Sequence, residues 1–195
     1  CIGKEWDIII DFRSSLISYF LNYKKKYIFK KNTINNHIQQ LSDYFGFDCS
    51  DLHIETSKEE DDIVEKNISK NINYFVIFPG GNWKPKIWDT QNYNSLIKKI
   101  SLKNPDIKFI IVGSKEEEKL YLDKIIKNIE SQKIINLFGK SLTLTAAYMK
   151  KSKLLIGNDS GLTHLASATK LRSIVLFGPT NDKVYGPFDT NSNTV

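Results

Sequence analysis

The feature that most constrains this chain is an alternation of short apolar segments with amphipathic ones, which begins at Tyr74 and continues to Phe177. The apolar segments are typical of strands, and most are followed by glycine or Pro-Gly. Between them, apolar residues recur at i, i+3, i+4 and i+7, as expected for helices. This alternation predicts βαβ units with right-handed crossovers and a doubly wound parallel sheet of the α/β class. The predicted strands are residues 74–78, 106–112, 133–137, 154–157 and 173–177.

The start of the chain has a shorter pattern of the same kind. Residues 7–11 are mostly apolar between two aspartates, which predicts a strand buried on both faces. Ser14 or Ser15 is expected to cap a helix that follows. The apolar face of that helix would carry Leu16, Ile17 and Phe20.

A second helical pattern covers residues 37–45, and Gly46 is expected to end it. Residues 55–73 are polar and rich in Glu, Asp, Lys and Asn, which favours an interdomain linker with a short helix at 61–68. We therefore divide the chain into residues 1–54, a linker at 55–73, and residues 74–195.

The composition narrows the class of protein. With 195 residues and 41% apolar content, the chain can bury one sizeable core, or one domain plus part of another. No apolar run approaches the ~20 residues that span a bilayer, and no secretory signal is visible. Cys1 and Cys49 have neither metal-ligand spacing nor a paired framework, which favours a reducing, cytoplasmic setting. Because the chain begins with cysteine rather than methionine, we expect it to be a fragment.

The net charge of +6 comes almost entirely from lysine. Its one local concentration is Lys24–Lys26 with Lys30 and Lys31. This cluster is interpreted either as a solvated surface or as a contact for an anionic acceptor or membrane. Nucleic acid is not expected as a partner, because no recognised binding motif accompanies the charge. No metal is predicted, since no cluster of ligating residues has the required spacing.

The segment 158–164 follows a predicted strand and enters a predicted helix. Unpaired N–H groups at a helix start, together with the helix dipole, favour an anion such as a diphosphate. Gly161 allows a ligand close to the backbone, and Ser160 and His164 share a helix face. In the alternative interpretation, Asp159 and Ser160 are helix caps and His164 is a packed histidine. The spacing leaves both interpretations open.

The loop after the first strand of the alternating series is a second candidate. Gly80 and Gly81 can form a tight turn that exposes amides, followed by Asn82. Lys86 carries a compact charge suited to a phosphate, and Trp88 is expected to anchor the loop by packing. A Pro/Gly turn with a solvated lysine is the alternative.

A third candidate is the segment 113–117, where Glu117 could hold a ribose diol. Taken alone, this segment is better explained as an ordinary helix first turn enriched in glutamate. The Gly-Lys-Ser at 139–141 is rejected as a phosphate loop because the required upstream glycine is absent.

Taken together, these motifs resemble the C-terminal domain of the glycosyltransferase family that contains the ADP-heptose:lipopolysaccharide heptosyltransferases. The order of the motifs and their approximate spacing agree across residues 74–188, and residues 7–15 look like the family's Asp-x-x-x-Asp-x-Arg-x-Ser strand end. The matching segments are Pro-Gly at 79–80, Lys-x-Trp at 86–88, Gly-x-x-x-Glu at 113–117, Asn-Asp-Ser-Gly-x-x-His-x-Ala at 158–166 and Phe-Gly-Pro-Thr at 177–180.

The resemblance implies the GT-B architecture, with two Rossmann-like doubly wound domains of which the N-terminal one is incomplete here. Residues 1–54 would belong to the acceptor-side domain, and residues 74–195 to the donor-binding domain, truncated at its end. The general base would be an aspartate N-terminal to this chain. The chain is therefore expected to bind a donor better than it turns one over.

The resemblance also implies roles for particular residues. Lys86 and His164 would contact the donor diphosphate and stabilise the leaving group, and Glu117 would hold the donor ribose. Arg13 would lie on the acceptor side. Further donor contacts would come from Gly80, Gly81, Asn82, Asp159, Ser160 and Gly161.

The implied reaction is an inverting, metal-independent transfer of a sugar from a nucleoside diphosphate. The family's best-known case is heptose from ADP-heptose, transferred to lipopolysaccharide core or another surface glycan. Beyond this substrate nucleotide-sugar no cofactor is expected. A cytoplasmic monomer is expected, with peripheral contact at the inner membrane. The alternatives are a sugar-nucleotide epimerase, a non-catalytic nucleotide-binding protein and, least supported, a hydrolase that uses Ser160 and His164.

Overall fold

The computed structural model describes residues 3–189 and 191–195. Cys1 lies outside these residues, and Cys49 is a free thiol. The chain divides into two compact units, residues 1–50 and 51–195. Within the described part of the chain, no helix is both long and apolar enough to cross a membrane.

The first unit contains a two-stranded parallel sheet and one helix. Strand β1 (Glu5–Asp11) pairs with β2 (Asn22–Ile28). Helix α1 (His37–Phe45) begins after Asn36, whose side chain accepts a hydrogen bond from the Ile38 N–H. It ends at Gly46 in the left-handed region, at φ 73°. The helix and its stop signal are confirmed as predicted.

Two predictions for this unit are wrong. In β1 the side chains of Ile8 and Ile10 are 54% and 48% exposed, because no second layer covers them among the described residues. The helix expected after Ser15 is a single 3-10 turn, Leu16–Tyr19. Ser15 directs its N–H and hydroxyl to the Asp11 carboxylate, at 2.7 and 3.2 Å, and so makes no side-chain cap. The apolar side chains of the turn are exposed and gain nothing from a longer helix.

The second unit is a six-stranded parallel sheet with helices on both faces. The strand order is β5-β4-β3-β6-β7-β8, which is the Rossmann order 3-2-1-4-5-6 when counted from β3. The strands are β3 (Tyr74–Phe78), β4 (Lys108–Ile111), β5 (Ile134–Asn136), β6 (Leu154–Asn158), β7 (Ser173–Leu176) and β8 (Ser192–Thr194). The helices are α2 (Lys58–Asn67), α3 (Thr90–Lys103), α4 (Lys115–Ile126), α5 (Leu142–Lys150), α6 (Gly161–Ala168) and α7 (Asp182–Tyr185).

Successive side chains of each strand point to opposite faces of this sheet, so a core forms on each face. In β3, Val76 packs in the core that includes α5 and α6, whereas Ile77 packs in the core that includes α3 and α4. Both side chains are fully buried. The five predicted strands and the helices between them are confirmed, with boundaries shifted by one or two residues.

Strand β8 and helix α7 were not predicted from the sequence, and the predicted start of α2 was too late. Ser57 and Glu60 form a reciprocal capping box, so α2 begins at Lys58 rather than at 61. Val64 on this helix is fully buried and belongs to the same core as α5. The polar segment at 55–73 therefore contributes to the packing of the second unit.

Candidate functional site

The strand order reverses between β3 and β6, and the loops that leave these strands border a cavity of about 840 Å³. In open α/β sheets this reversal is where ligands bind. The cavity lies entirely within the second unit, at the carboxyl ends of β3, β4, β5 and β6. Of the predicted donor residues, those that line it are Gly81, Asn82, Glu117, Ser160, Gly161 and His164.

The start of α6 presents backbone donors to this cavity. The Ser160 side chain accepts from the Leu162 N–H, and the Ser160 carbonyl accepts from the Thr163 N–H at 3.2 Å. The Asp159 N–H donates to the Leu176 carbonyl at 3.1 Å, within the β6–β7 ladder. Among the described residues, no partner accepts from the N–H groups of Ser160 and Gly161. These two amides are therefore the ones available to an anion.

Beside the cavity, Lys86 forms an ion pair with Asp159 at 2.5 Å between Nζ and Oδ2. The side chains are 22% and 5% exposed, so the pair is shielded from water. Thr180 also donates to Asp159 Oδ2, at 2.8 Å. A lysine ammonium has three donors, so Lys86 can keep this contact and still reach an anion. Neither Lys86 nor Asp159 is part of the cavity lining itself.

The position of Lys86 depends on a close backbone approach. A Cβ atom at Gly178 would lie 2.5 Å from the Pro85 carbonyl oxygen and 3.3 Å from the Lys86 Cα. Only glycine fits there without displacing the backbone. The Phe-Gly-Pro-Thr segment after β7 therefore holds the lysine loop against the end of β6.

Asn158, at the end of β6, connects this strand end to the loop that follows β3. Its side chain is fully buried, and its Nδ2 donates to the carbonyls of Pro79 and Gly80, both at 2.9 Å. Its Oδ1 accepts from the Trp88 N–H at 3.1 Å and from the Tyr93 hydroxyl at 2.8 Å. These four hydrogen bonds satisfy both ends of the amide. Asn158 is part of a motif that was recognised in the sequence, but no role was predicted for it.

Glu117 connects the loop after β3 to the loop after β4. Its Oε1 accepts from the Gly81 N–H at 2.7 Å, and its Oε2 accepts from the Ser114 N–H at 2.7 Å. A Cβ at Gly80 would overlap Oε1, so any larger residue there would displace the Glu117 carboxylate from its two amides. Glu117 is thus both the capping-box partner of α4 and part of the cavity wall. A ribose diol would meet a carboxylate that two backbone amides already orient.

His164 lies one turn into α6 and lines the same cavity. Burial, the largest influence, lowers the pKa of His164 below its ordinary value of 6.5, and Lys86 lowers it further. The carboxylates of Asp159 and Asp189 act in the opposite direction without overcoming this. At neutral pH the imidazole is therefore mainly uncharged, with one ring N–H to donate.

Two further lysines line the cavity and were not predicted as site residues. Lys115 begins α4, where it pairs with Glu118 at 2.6 Å, and Lys140 lies in the loop after β5. Lys140 falls within the segment rejected as a phosphate loop. Its position directly after a predicted parallel strand could have identified Lys140 as a site residue, because the carboxyl ends of such strands share one edge of the sheet.

Arg13, predicted on the acceptor side, lies in the first unit. Its N–H donates to Asp11 Oδ1 at 2.9 Å, and it borders a small cavity of about 210 Å³ with Phe12 and Phe29. Among residues 3–189 and 191–195, no three His, Cys, Asp or Glu side chains are grouped to hold a metal ion.

Comparison with known proteins identifies a family that this chain matches. The model of glycosyltransferase family 9 (heptosyltransferase) matches residues 2–195. Lipopolysaccharide heptosyltransferase 1 of Campylobacter coli is 34% identical over 130 residues, which are 66% of this chain and 38% of that protein. Lipooligosaccharide heptosyltransferase 2 of Campylobacter jejuni (strain 81116) is 25% identical, over 93% of this chain and 60% of its own length. The chain thus spans less than two thirds of these relatives.

Solved structures agree with the fold. The structure of E. coli ADP-heptose LPS heptosyltransferase II superposes with a TM-score of 0.74 at 17% identity. The match covers 97% of this chain and 68% of that one. The predicted α/β class of the GT-B type is confirmed.

Proposed function

This chain belongs to glycosyltransferase family 9, the heptosyltransferase family, and on that premise we propose that its second unit binds the nucleoside diphosphate sugar donor of a glycosyl transfer. The donor we propose is ADP-heptose, and the acceptor is lipopolysaccharide core or another surface glycan. Both follow from the names of the relatives and of the E. coli structure. Family membership favours transfer over epimerisation or binding without catalysis.

The observation that carries the proposal is the start of α6 at the strand-order reversal. Two amides without partners among the described residues, Ser160 and Gly161, meet a cavity of about 840 Å³, which is within the usual size range of small-molecule sites. The shielded ammonium of Lys86 lies beside them, and His164 offers a neutral N–H. These are the groups that an anionic diphosphate requires.

In the proposed reaction, the acceptor hydroxyl oxygen forms a bond to the anomeric carbon while the bond from that carbon to the diphosphate oxygen breaks. The hydroxyl proton passes to a base, and negative charge grows on the departing diphosphate. Donors fixed before the reaction stabilise that charge most effectively. The Ser160 and Gly161 amides, Lys86 and His164 would supply this stabilisation without a metal ion.

Lys86→Ala tests the proposal, with Lys84→Ala as a matched control. Both lysines lie in the 3-10 turn Lys84–Lys86, but Lys84 is exposed and Lys86 is paired beside the site. ADP and ADP-heptose are titrated calorimetrically against both variants and the parent. We expect Lys86→Ala to weaken both ligands about tenfold or more and Lys84→Ala to have no effect. Equal affinities in all three proteins would remove Lys86 from the site.

Transfer is separated from epimerisation by analysis of the products. An epimerase converts ADP-heptose without an acceptor and leaves the nucleotide attached, whereas a transferase releases ADP when an acceptor glycan is present. An altered sugar nucleotide formed in the absence of acceptor would refute the transferase proposal.

We also propose peripheral contact with the inner membrane, through the lysines of the first unit. Lys24 and Lys25 are exposed on β2, although Lys24 pairs with Asp7, and Lys26 packs over the Tyr19 ring at 3.6 Å. Sedimentation with anionic and neutral vesicles tests this, and binding to anionic vesicles that persists after all five lysines (24, 25, 26, 30 and 31) are changed to glutamine would exclude the cluster. We further propose that the protein is cytoplasmic and monomeric. Sedimentation velocity checks the monomeric state.

A further inference from the structure

One wall of the cavity comes from a segment that the sequence analysis assigned to no site. Residues 51–56, called the strap below, precede α2 and have no regular secondary structure. Half-buried and exposed side chains alternate along the strap, as in an extended chain. The strap residues that line the cavity are Leu52, His53 and Ile54.

Both ends of the strap are fastened to the helices of the second unit. Asp51 accepts from Lys170 at 2.7 Å, and Lys170 comes two residues after α6 ends. Thr56 accepts from Lys150, the last residue of α5, at 2.9 Å. These contacts are exposed and add little to global stability. Their effect is to hold the strap at the end of the cavity near the C-terminus of α6.

The cavity changes in character along α6. The residues of this helix that line it include Gly161, His164, Leu165 and Ala168, which share one face at spacings of three, four and seven. At a rise of 1.5 Å per residue this face is about 10 Å long. Its first residue carries a free amide, and its last ones are apolar. A ligand that fills the cavity therefore needs an anionic end and an apolar end, as a nucleoside diphosphate has.

The strap also has backbone groups to offer. The N–H and carbonyl groups of Leu52, His53 and Ile54 make no hydrogen bond to any other described residue. Unpaired backbone beside an apolar surface suits the edge of a nucleobase, which carries both donors and acceptors. The apolar side chains suit its flat face.

We propose that the strap is the nucleobase-recognition wall of this site. In this arrangement Leu52 and Ile54 pack against the base, and the backbone between them contacts its edge. The inference rests on the proposed binding of a nucleoside diphosphate and extends it to a segment outside the family-like motifs. It makes the strap a determinant of nucleotide specificity, while the start of α6 binds the diphosphate whatever base is attached.

The test compares a ligand that has the base with one that lacks it. ADP and inorganic pyrophosphate are titrated calorimetrically against the parent and the Leu52→Ala/Ile54→Ala double variant. Leu102→Ala is the control, because Leu102 is 82% exposed on α3. We expect the double variant to bind ADP about tenfold more weakly and pyrophosphate as the parent does. The control should bind both ligands normally.

A second variant covers the case in which the double variant does not fold. Lys170→Gln removes the ion pair between Lys170 and Asp51 and leaves Leu52 and Ile54 unsubstituted, so it should weaken ADP about twofold and spare pyrophosphate. Unchanged ADP affinity in the folded variants, or an equal loss for both ligands, would overturn the role of the strap. Failure of the parent to bind ADP would overturn the proposed function together with it.

Discussion

The ends of β1 and β6 look alike in the sequence, since each has an aspartate shortly before a serine that can cap a helix. Asp11 is bonded by its own loop, through the N–H groups of Arg13 and Ser15. Asp159 is bonded by Lys86 and Thr180, which come from 73 residues before it and 21 after it. The first strand end leads into one exposed 3-10 turn and the second into a packed helix.

Local spacing therefore does not decide whether a strand end becomes a binding site. Asp11 and Asp159 are almost equally buried, at 7% and 6% exposure. The partners of Asp159 come from the loops after β3 and β7, whereas those of Asp11 come from the four residues that follow it. A sharp test of this contrast is to remove long-range partners at one strand end and local partners at the other.

The largest effect is expected for Asn158→Ala. The substitution leaves two buried carbonyls without donors and the Trp88 N–H without an acceptor, while the Tyr93 hydroxyl keeps the Phe78 carbonyl at 3.2 Å. The free energy of unfolding should therefore fall by about 3 kcal/mol. Asn104→Ala is the matched control, because its amide makes one long, exposed hydrogen bond of 3.5 Å. Urea denaturation measures both variants. A loss below about 1 kcal/mol for Asn158→Ala would show that the loops hold together without it.

The next effect concerns the shielded ion pair. Lys86→Met leaves the Asp159 carboxylate buried with Thr180 as its remaining side-chain donor, and should cost about 2–3 kcal/mol. The double variant Lys86→Met/Asp159→Asn should recover part of that loss, because no unpaired charge remains. Ser15→Ala, at the other strand end, should cost much less. Additive effects at Lys86 and Asp159 in a double-mutant cycle would contradict the pairing.

A smaller effect separates two glycines of the site. Gly80→Ala should destabilise the fold by about 1–3 kcal/mol, because the new Cβ overlaps Glu117. Gly161→Ala should fold normally, since nothing lies within 4 Å of a Cβ there. If a diphosphate binds at this helix start, Gly161→Ala should nevertheless weaken ADP severalfold. Thermal unfolding and calorimetry measure the two properties, and unchanged ADP affinity would place the ligand elsewhere.

The smallest effect is a pH dependence from His164. Its pKa is lower in the folded chain than the ordinary value of 6.5, so the unfolded chain binds the proton more readily. The stabilisation is complete above about pH 6.5 and is lost as the pH falls through the folded pKa. His164→Gln should therefore flatten the decline in stability between pH 7 and pH 5. An identical pH profile in the variant would mean that burial does not shift this group.

Much of the second unit could be predicted, because its elements carry their own signals. Short apolar runs that end at glycine or Pro-Gly, and helical apolar faces between them, are local patterns, and they predicted the five strands and the helices between them. β8 was missed because Ser192–Thr194 is three polar residues long and becomes a strand only by pairing with β7. The prediction that β1 is buried on both faces was wrong, because an apolar run of this kind is also typical of a strand in a covered sheet.

The sequence predicted which loops border the candidate site. It was less successful in predicting the contacts of each side chain in those loops. Glu117 was predicted to hold ribose, and in the structure its two oxygens accept from backbone amides of different loops. Lys86 was predicted to meet a phosphate, and it is paired with Asp159. Such contacts join residues 36 and 73 positions apart, and no local pattern encodes them.

Binding of a donor diphosphate at the start of α6 can be followed through the backbone amide resonances while ADP is added. We expect the largest shifts at the N–H groups of Ser160 and Gly161. Smaller shifts are predicted at Asp159, whose N–H is paired with Leu176, and none at Gly46 in the first unit. Shifts that leave Ser160 and Gly161 unmoved while ADP binds elsewhere would contradict it.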